Sequence, residues 1–260
     1  MGGFCAIYFF LVITVECFRE FFKRFGIGKI LRQCGAIKKA GIEAGTVIIF
    51  VLGLVFEGKR LNELRTHHSE KMPFGKDAVY RCLSQAGINW ERSVFLCANS
   101  VIPEIKKLTT EERKHALVID DTTQYRNRSK EVEMLAKCYD HCENRYYRGH
   151  TLLTMGWTDG QSFVPVDYRV VSASEGKNLL CGSEVAEDGR TIATRRRRDA
   201  RRPKPELVLD MLKGASGSAA DCRYVLFDSW FSSPKSILQV SGTGHDVVAM
   251  LKKGNDRVGG

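Results

Sequence analysis

The sequence lacks an apolar run of the roughly 20 residues that a membrane-spanning helix needs. Two shorter apolar runs are present: Phe4–Val15, with 12 residues, and Thr46–Phe56, with 11. The first run also lacks the basic leader and the A-x-A-like cleavage site of a signal peptide. We therefore expect buried helices at both places. A membrane protein is the alternative that would require both runs to enter lipid.

A disulfide framework is also absent, because the nine cysteines are odd in number and irregularly spaced. In a chain of this size that pattern is typical of a reducing cytoplasm. Cys138 and Cys142, near His141 and His150, form the one place that suggests zinc. No second closely spaced pair of ligands accompanies them, so the sequence does not favour a structural zinc site.

The chain has no acidic surplus: its net charge is +10, and the positive charge is concentrated. Residues 190–205 contain eight Lys or Arg and one acid, and residues 19–39 contain seven and one. Such clusters indicate a polyanionic partner, with nucleic acid first and an anionic membrane surface second. Solvated loops that bind nothing are the simplest alternative.

The first part of the sequence, residues 1–112, is predicted to be all helical. Phenylalanines recur at helical spacing in residues 16–34, where Gly26 and Gly28 are expected to end the helix. A helix is also predicted over residues 43–56. Asp77–Leu83 and a helix from Trp90 to about Asn99 flank a turn at Gly87, which is the layout of a DNA-binding helix-turn-helix. Any small helical bundle has the same layout, so both interpretations stay open.

Residues 113–260 predict an α/β domain. Strand-like runs occur at 115–120, 151–157, 162–171, 223–227 and 246–251, with helices over 205–213 and 234–240. Asp159-Gly160 between the second and third runs is a strong hairpin signal. Three antiparallel strands followed by parallel strands with helical crossovers form an RNase H-like mixed sheet. The predicted class is therefore α/β, preceded by an all-α N-terminal region.

Carboxylates follow two of these strands. Asp120 and Asp121 come at the end of the first predicted strand, and Asp228 comes directly after the fourth. These two strands are neighbours in an RNase H-like sheet, so the carboxylates would converge, and like charges close together need cations. Mg²⁺ or Mn²⁺ suits oxygen ligands of this kind. A strand-end turn at Asp120 and Asp121, or a helix N-cap at Asp228, would explain each motif separately.

Together the two motifs resemble the DDE transposases of bacterial insertion sequences. The matching residues are Asp-Asp-Thr at 120–122 and Tyr-Val-Leu-Phe-Asp-Ser-Trp-Phe at 224–231. The similarity continues through residues 76–90 and 146–174 and covers most of the chain from about residue 20.

This resemblance implies that Asp121, directly before Thr122, is the first catalytic aspartate and Asp228 the second, both as ligands of Mg²⁺ or Mn²⁺. Asp120 would point to the opposite face of the strand, because side chains alternate. The implied partner is DNA, as terminal inverted repeats and target, with self-association on that DNA in a bacterial cytoplasm. Residues 1–112 would bind DNA, and residues 113–260 would form the catalytic domain.

The sequence departs from the family at the third acid, a glutamate on a helix after the last strand. No glutamate follows Glu206, and Glu175 and Glu184 fall in the segment after the predicted hairpin. We therefore expect a C-terminally truncated catalytic domain with weak metal binding and no strand transfer. A general RNase H-like nuclease and a non-catalytic DNA-binding remnant or repressor are the alternatives.

Six arginines before the second catalytic strand are the predicted DNA contacts. They lie between the third predicted strand and the next helix, in a stretch expected to be a loop, and are Arg195, Arg196, Arg197, Arg198, Arg201 and Arg202. Contact with phosphates would make DNA binding sensitive to salt. Trp230 and Phe231 fit either the core or stacking on a displaced base.

Overall fold

The computed structural model describes residues 16–37, 41–67, 73–110, 112–140, 143–173, 176–182, 189–228 and 231–250. The chain divides into two compact units, Met1–Ser93 and Val94–Gly260. This division falls 19 residues before the boundary predicted from sequence, since residue 93 rather than 112 ends the first unit. The assignment of DNA binding to residues 1–112 and catalysis to residues 113–260 stays a prediction.

The first unit is helical in its described residues. Residues 16–24 are helical and are followed by α1 (Ile27–Gln33), α2 (Ala44–Phe56), α3 (Leu61–His67) and α4 (Lys76–Leu83). Gly26 adopts the left-handed conformation, with φ of 62°, and separates the first two helices. Gly28 does not end a helix, contrary to the prediction, because it lies inside α1.

The apolar run of α2 is only partly buried. Val47 packs with Val79 and Cys82 of α4 in a small core, whereas Val55 and Phe56 are exposed. The predicted helix is therefore confirmed, but its last two residues are not buried. The other apolar run, Phe4–Val15, lies outside the described residues. None of the described helices is both long enough and apolar enough to span a membrane.

Helix α5 (Trp90–Lys107) is longer than the sequence predicts, because it continues through Pro103. Its second half belongs to the second unit, where Ala98 and Ile102 are buried in the main core. Asn99 Oδ1 accepts a hydrogen bond from the Ala219 amide at 2.7 Å, and Lys106 Nζ donates one to the Ala219 carbonyl at 2.8 Å. This half of α5 is therefore fixed to the α/β core, and a helix-turn-helix role for α4 and α5 stays a prediction.

A six-stranded mixed sheet forms the second unit. Its strands are β1 (Ala116–Tyr125), β2 (Ala136–Asp140), β3 (Arg145–Thr158), β4 (Phe163–Val171), β5 (Tyr224–Phe227) and β6 (Asp246–Ala249). The order across the sheet is β2-β3-β1-β5-β6, and β4 pairs with β3 beyond the segment that β2 occupies. Strands β1 and β3 are antiparallel, whereas β1, β5 and β6 are parallel.

Three helices and a short 3₁₀ turn (Gly176–Asn178) connect these strands. They are α6 (Ile192–Asp199), α7 (Lys204–Ala215) and α8 (Pro234–Ser241). One face of the sheet, including Leu117, Ile119, Val225 and Phe227, packs in a single core with buried residues of α5, α7 and α8. Alternation along β1 and β5 places these side chains on one face. The predicted α/β class and the RNase H-like plan are confirmed.

The hairpin predicted at Asp159-Gly160 joins β3 and β4. Asp159 Oδ1 accepts hydrogen bonds from the amides of Ser162, at 2.6 Å, and Gln161, at 3.0 Å. Those backbone bonds, with Arg113 at 3.3 Å from Oδ2, hold the pKa of Asp159 below its usual range. Gly160 has a φ of 86°, which favours glycine. Asp159 therefore serves the turn rather than the chemistry.

Two parts of the strand prediction are wrong. Strand β2 was not predicted, and β1 does not end at its acids but continues through Asp120 and Asp121 to Tyr125. The continuation is paired residue by residue with β3, as far as Tyr125 opposite Gly149. Pairing with a long central strand therefore outweighs the low strand propensity of the two aspartates.

Candidate active site

The two strands that carry the predicted catalytic aspartates are parallel neighbours. Ile119 of β1 is level with Phe227 of β5, the last paired position. Asp120 and Asp228 each follow by one residue, and Asp121 follows Asp120. All three aspartates therefore lie at the edge of the sheet where β5 has its C-terminal end, and their positions along the strands differ by no more than one residue. The predicted adjacency of these strands is confirmed.

Asp121 makes an ion pair across the core-facing side of the sheet. It lies two residues after Ile119, on the same face of β1, and its Oδ2 accepts a short hydrogen bond from Lys204 Nζ. Both side chains are 26% exposed. Lys204 is the first residue of α7, where a positive charge is unfavourable because the helix dipole is positive at that end. The Asp121 carboxylate offsets that charge.

Asp120 has a different environment. Its side chain is exposed, and Oδ1 accepts a 2.8 Å hydrogen bond from the amide of Asp121. Asp228 is exposed as well, and its carbonyl oxygen accepts a 3.3 Å bond from the amide of Phe231. The structure thus separates the two acids of β1 by face, half-buried Asp121 on one and exposed Asp120 on the other.

The carboxylates fit a divalent cation in donor type, since Mg²⁺ and Mn²⁺ take carboxylate oxygens. A cation, the ammonium of Lys204, already lies on Asp121 in the structure. Among the residues that the structure describes, however, no group of three or more His, Cys, Asp or Glu side chains is placed to hold a metal. If Asp121 and Asp228 bind a metal ion, as the sequence predicts, they would need a further donor, such as substrate phosphate, water or another acid.

The arginine-rich stretch is helical, which corrects the prediction of a loop. Thr191 Oγ1 accepts a 3.1 Å hydrogen bond from the amide of Thr194 and caps the start of α6. Arg196, Arg197 and Arg198 occupy the last turn, where positive charge is favourable. Arg195 and Arg198 are exposed, and their spacing of three places them on one side of the helix.

Arg197 and Arg202 of this stretch make ion pairs within the protein. Arg202 lies 2.6 Å from Asp210, 3.4 Å from Asp199 and 3.5 Å from Glu206, and the hydrogen bonds to Asp210, first, and Asp199 raise its pKa. Arg197 pairs with Glu133. Arg201 Nε is buried, and no described residue is its hydrogen-bond partner.

The structure bears on two alternatives that the sequence does not favour. Phe231 is 7% exposed and packs with Phe227, their ring centroids 6.4 Å apart, so the core interpretation holds for Phe231 and stacking on a base is wrong. Trp230 lies outside the described residues. At the zinc candidate, His150 Nε2 lies 3.0 Å from the Glu133 carbonyl oxygen, so that nitrogen carries its proton and is not a ligand. His141 and Cys142 are also outside the described residues.

Sequence reasoning missed Lys204. It counted the residue only as one of the charges in the basic run 190–205, and nothing local relates it to a position 83 residues earlier. The usable signal was Pro203-Lys204-Pro205 at the start of a helix. A lysine flanked by prolines is held where the chain turns toward the sheet.

Comparison with known proteins agrees with this arrangement. The sequence profile described as DDE superfamily endonuclease matches residues 46–256, which is most of the chain and includes Asp121, Lys204 and Asp228. No curated protein matches the sequence significantly. On the extent of the family match and the fold that carries it, the chain belongs to the DDE superfamily endonucleases.

Proposed function

We propose that the chain is the catalytic part of a DNA transposase, with Asp121 and Asp228 as metal ligands. Membership of the DDE superfamily endonucleases indicates a nuclease or transposase function on DNA. The observation that supports the finer proposal is the pair of carboxylates at the same end of adjacent parallel strands, one of them already neutralised by a cation. Such a pair can hold Mg²⁺ or Mn²⁺ beside a phosphodiester.

A bound metal ion would polarise the phosphoryl group and activate a water or a 3′-hydroxyl. Asp121, which is half-buried on β1, and Asp228 would hold that ion at the edge of the core. Lys204 is placed to occupy Asp121 in the absence of metal and to meet a phosphate oxygen when DNA is bound, because it lies beside the same carboxylate. Asp120 is the alternative ligand on β1, since the register places it level with Asp228.

The third acid of the family has no counterpart in this sequence. No glutamate occurs after Glu206, whereas the resemblance expects one on a helix after the last strand. We propose that Asp121 and Asp228 by themselves bind metal weakly and do not support strand transfer. A second candidate is a DNA-binding remnant or repressor derived from a transposase, which would bind DNA without dependence on metal.

The proposed function is tested on oligonucleotides copied from the DNA that flanks the gene, with random duplexes as controls. We expect selective binding of terminal repeats and no joined product, even in Mn²⁺. Cleavage of all sequences alike would favour a general nuclease. Selective binding that is indifferent to metal would favour the repressor, and a joined product would contradict the proposed inactivity.

Exposed arginines of α6 are proposed as the phosphate contacts near this site. Arg195 and Arg198 are exposed on one side of the helix, whereas Arg202 is held by three acids. Of the six arginines that the sequence predicts as DNA contacts, we propose Arg195 and Arg198 as the main phosphate contacts, followed by half-buried Arg196. Arg197, Arg201 and Arg202 mainly join α6 to its surroundings.

The double substitution Arg195→Ala and Arg198→Ala is expected to reduce the salt dependence of duplex binding. Each phosphate contact contributes about 0.9 to the slope of log affinity against log salt, so the loss is about 1.8. Fluorescence anisotropy at several salt concentrations measures this slope. Arg202→Ala is the matched control, which should lower the melting temperature and change the slope by less than about 0.5. An unchanged slope in the double variant would remove α6 from the interface.

A further inference from the structure

Two tyrosines form an exposed aromatic pair on the hairpin of β2 and β3. Tyr139 lies opposite Tyr146 in the strand register, and their rings pack edge to face with centroids 5.0 Å apart. The two residues nevertheless remain 41% and 61% exposed. Large exposed rings held in a fixed arrangement on a rigid element are typical of a binding surface rather than of a core.

Cationic side chains accompany the pair on the same face. Lys137 Nζ lies 4.6 Å from the centroid of the Tyr146 ring, and Lys137 is opposite Arg148 in the register. Positions two residues apart share a face of a strand, so Lys137, Tyr139, Tyr146 and Arg148 form one surface, here called the tyrosine platform. No described carboxylate pairs with Lys137, and Arg148 Nε is buried with no described partner.

A basic turn is attached to the edge of the platform. The amide of Arg126 donates a 2.7 Å hydrogen bond to the Arg148 carbonyl, and the Arg148 amide donates a 2.9 Å bond to Asn127 Oδ1. These bonds hold residues 126–130 beside Arg148. Arg126, Arg128 and Lys130 in this turn are all exposed. The platform thus adjoins further positive charge, as a polyanion requires.

The hairpin is fastened next to the candidate active site. On its inner face, Asp140 accepts hydrogen bonds from the hydroxyls of Tyr125 and Thr123, the second at 3.3 Å. Thr123 lies on the same face of β1 as Asp121, two residues away. Cys138, between the two outward residues of β2, faces inward, where burial raises the pKa of its thiol and the Lys204 charge lowers it in part. The inner face of the hairpin is therefore joined to the strand of Asp121, and the outer face carries the platform.

We infer that the tyrosine platform binds an unpaired segment of DNA, which deepens the proposed function and rests on it. Exposed aromatic rings stack on bases of any sequence, while neighbouring cations contact the phosphates between them. A duplex presents phosphates but no unstacked base faces, so only the cations of the platform would meet it. A site that opens a strand beside Asp121 and Asp228 produces unpaired DNA close to this hairpin.

The alternative role of the pair is to stabilise the hairpin, as cross-strand aromatic pairs do. The two roles predict different responses. Removal of both rings affects both roles, whereas phenylalanine keeps the rings and Lys137→Ala keeps the tyrosines. A stabilising pair alone has no reason to discriminate single strands from duplexes.

The test is fluorescence anisotropy of the full chain with oligo-dT of about 15 nucleotides, with the matching oligo-rU and with a mixed-sequence duplex. Tyr139→Ala with Tyr146→Ala is expected to weaken oligo-dT binding about 100-fold. The same double substitution should weaken duplex binding by no more than about 10-fold. Tyr139→Phe with Tyr146→Phe should stay within about 3-fold of the unsubstituted chain. Lys137→Ala should lower the salt slope for oligo-dT by about 0.7, the value for one single-strand phosphate.

Equal losses for oligo-dT and duplex, or no loss for either, would overturn the inference. Preference for oligo-rU would assign the platform to RNA and overturn it as well. Circular dichroism checks folding, and if the alanine pair unfolds the hairpin, an unchanged oligo-dT salt slope in Lys137→Ala would still overturn the inference. Failure of the chain to bind any duplex would instead count against the proposed function, so the two failures are distinguishable.

Discussion

Asp121→Asn and Asp228→Asn are each expected to lower the affinity of the chain for Mn²⁺ by about 100-fold. An amide oxygen keeps the shape of the ligand but removes its charge, and a unit charge next to a divalent ion is worth several kcal/mol at intermediate dielectric. About 2.8 kcal/mol corresponds to 100-fold. Electron paramagnetic resonance of free Mn²⁺ during titration measures the affinity directly, without any requirement for turnover.

The controls for this experiment lie on the same sheet. Asp246→Asn alters an exposed carboxylate at the start of β6, where it pairs with Arg223, and should leave Mn²⁺ affinity within about 2-fold. Asp120→Asn decides between the two acids of β1. If it abolishes binding while Asp121→Asn does not, the metal ligand is Asp120, and the face-based choice of Asp121 is wrong.

Lys204→Met is expected to raise Mn²⁺ affinity about 10-fold. A metal ion bound as proposed would compete with the ammonium for the Asp121 carboxylate, and methionine keeps the length of the side chain without its charge. The pair is partly exposed, so the competition is screened and amounts to about 1–2 kcal/mol rather than the larger values of a buried pair. The same titration measures it.

Lys213→Met is the matched control, because Lys213 is exposed in the last turn of the same helix. Its removal should change Mn²⁺ affinity by less than about 2-fold. If Lys204→Met leaves the Mn²⁺ affinity unchanged, Lys204 does not compete with the metal, and its ion pair with Asp121 is no evidence for a metal site. A decrease in affinity of about 10-fold would indicate that Lys204 stabilises the metal site instead.

Much of the sheet was predictable because its central strands are continuous apolar runs. The runs predicted at 223–227 and 151–157 contain the β-branched, aromatic and other apolar residues that are typical of buried strands. The structure has strands at both places, β5 (Tyr224–Phe227) and β3. Strand β2 was not predictable from its five residues, which pair along the edge of β3. The hairpin that carries Tyr139 and Tyr146 was missed for the same reason.

Helix α6 was not predicted because four consecutive arginines show no apolar periodicity. The structure explains the helix by its ends: Thr191 caps the start, and positive charge collects where the helix dipole is negative. Ala200, just after the helix, is buried, and its carbonyl accepts a 2.7 Å hydrogen bond from the Ser172 amide. The contact of Ala200 comes from the fold and leaves no local signal in the sequence.

The candidate site was half predictable. Asp120, Asp121 and Asp228 follow apolar runs, and the strand order then places them together. Lys204 could not be predicted as a partner, because only the packing of α7 against the sheet brings it to Asp121. Local pattern identifies the acids, and tertiary structure identifies what neutralises them.

The central claim, a metal centre held by Asp121 and Asp228, is tested most directly by an anomalous difference map from a crystal soaked in Mn²⁺. A peak within about 2.0–2.3 Å of carboxylate oxygens of both residues, with Lys204 displaced from Asp121, is the result we predict. A peak elsewhere, or no peak at a concentration that saturates binding in solution, would contradict it.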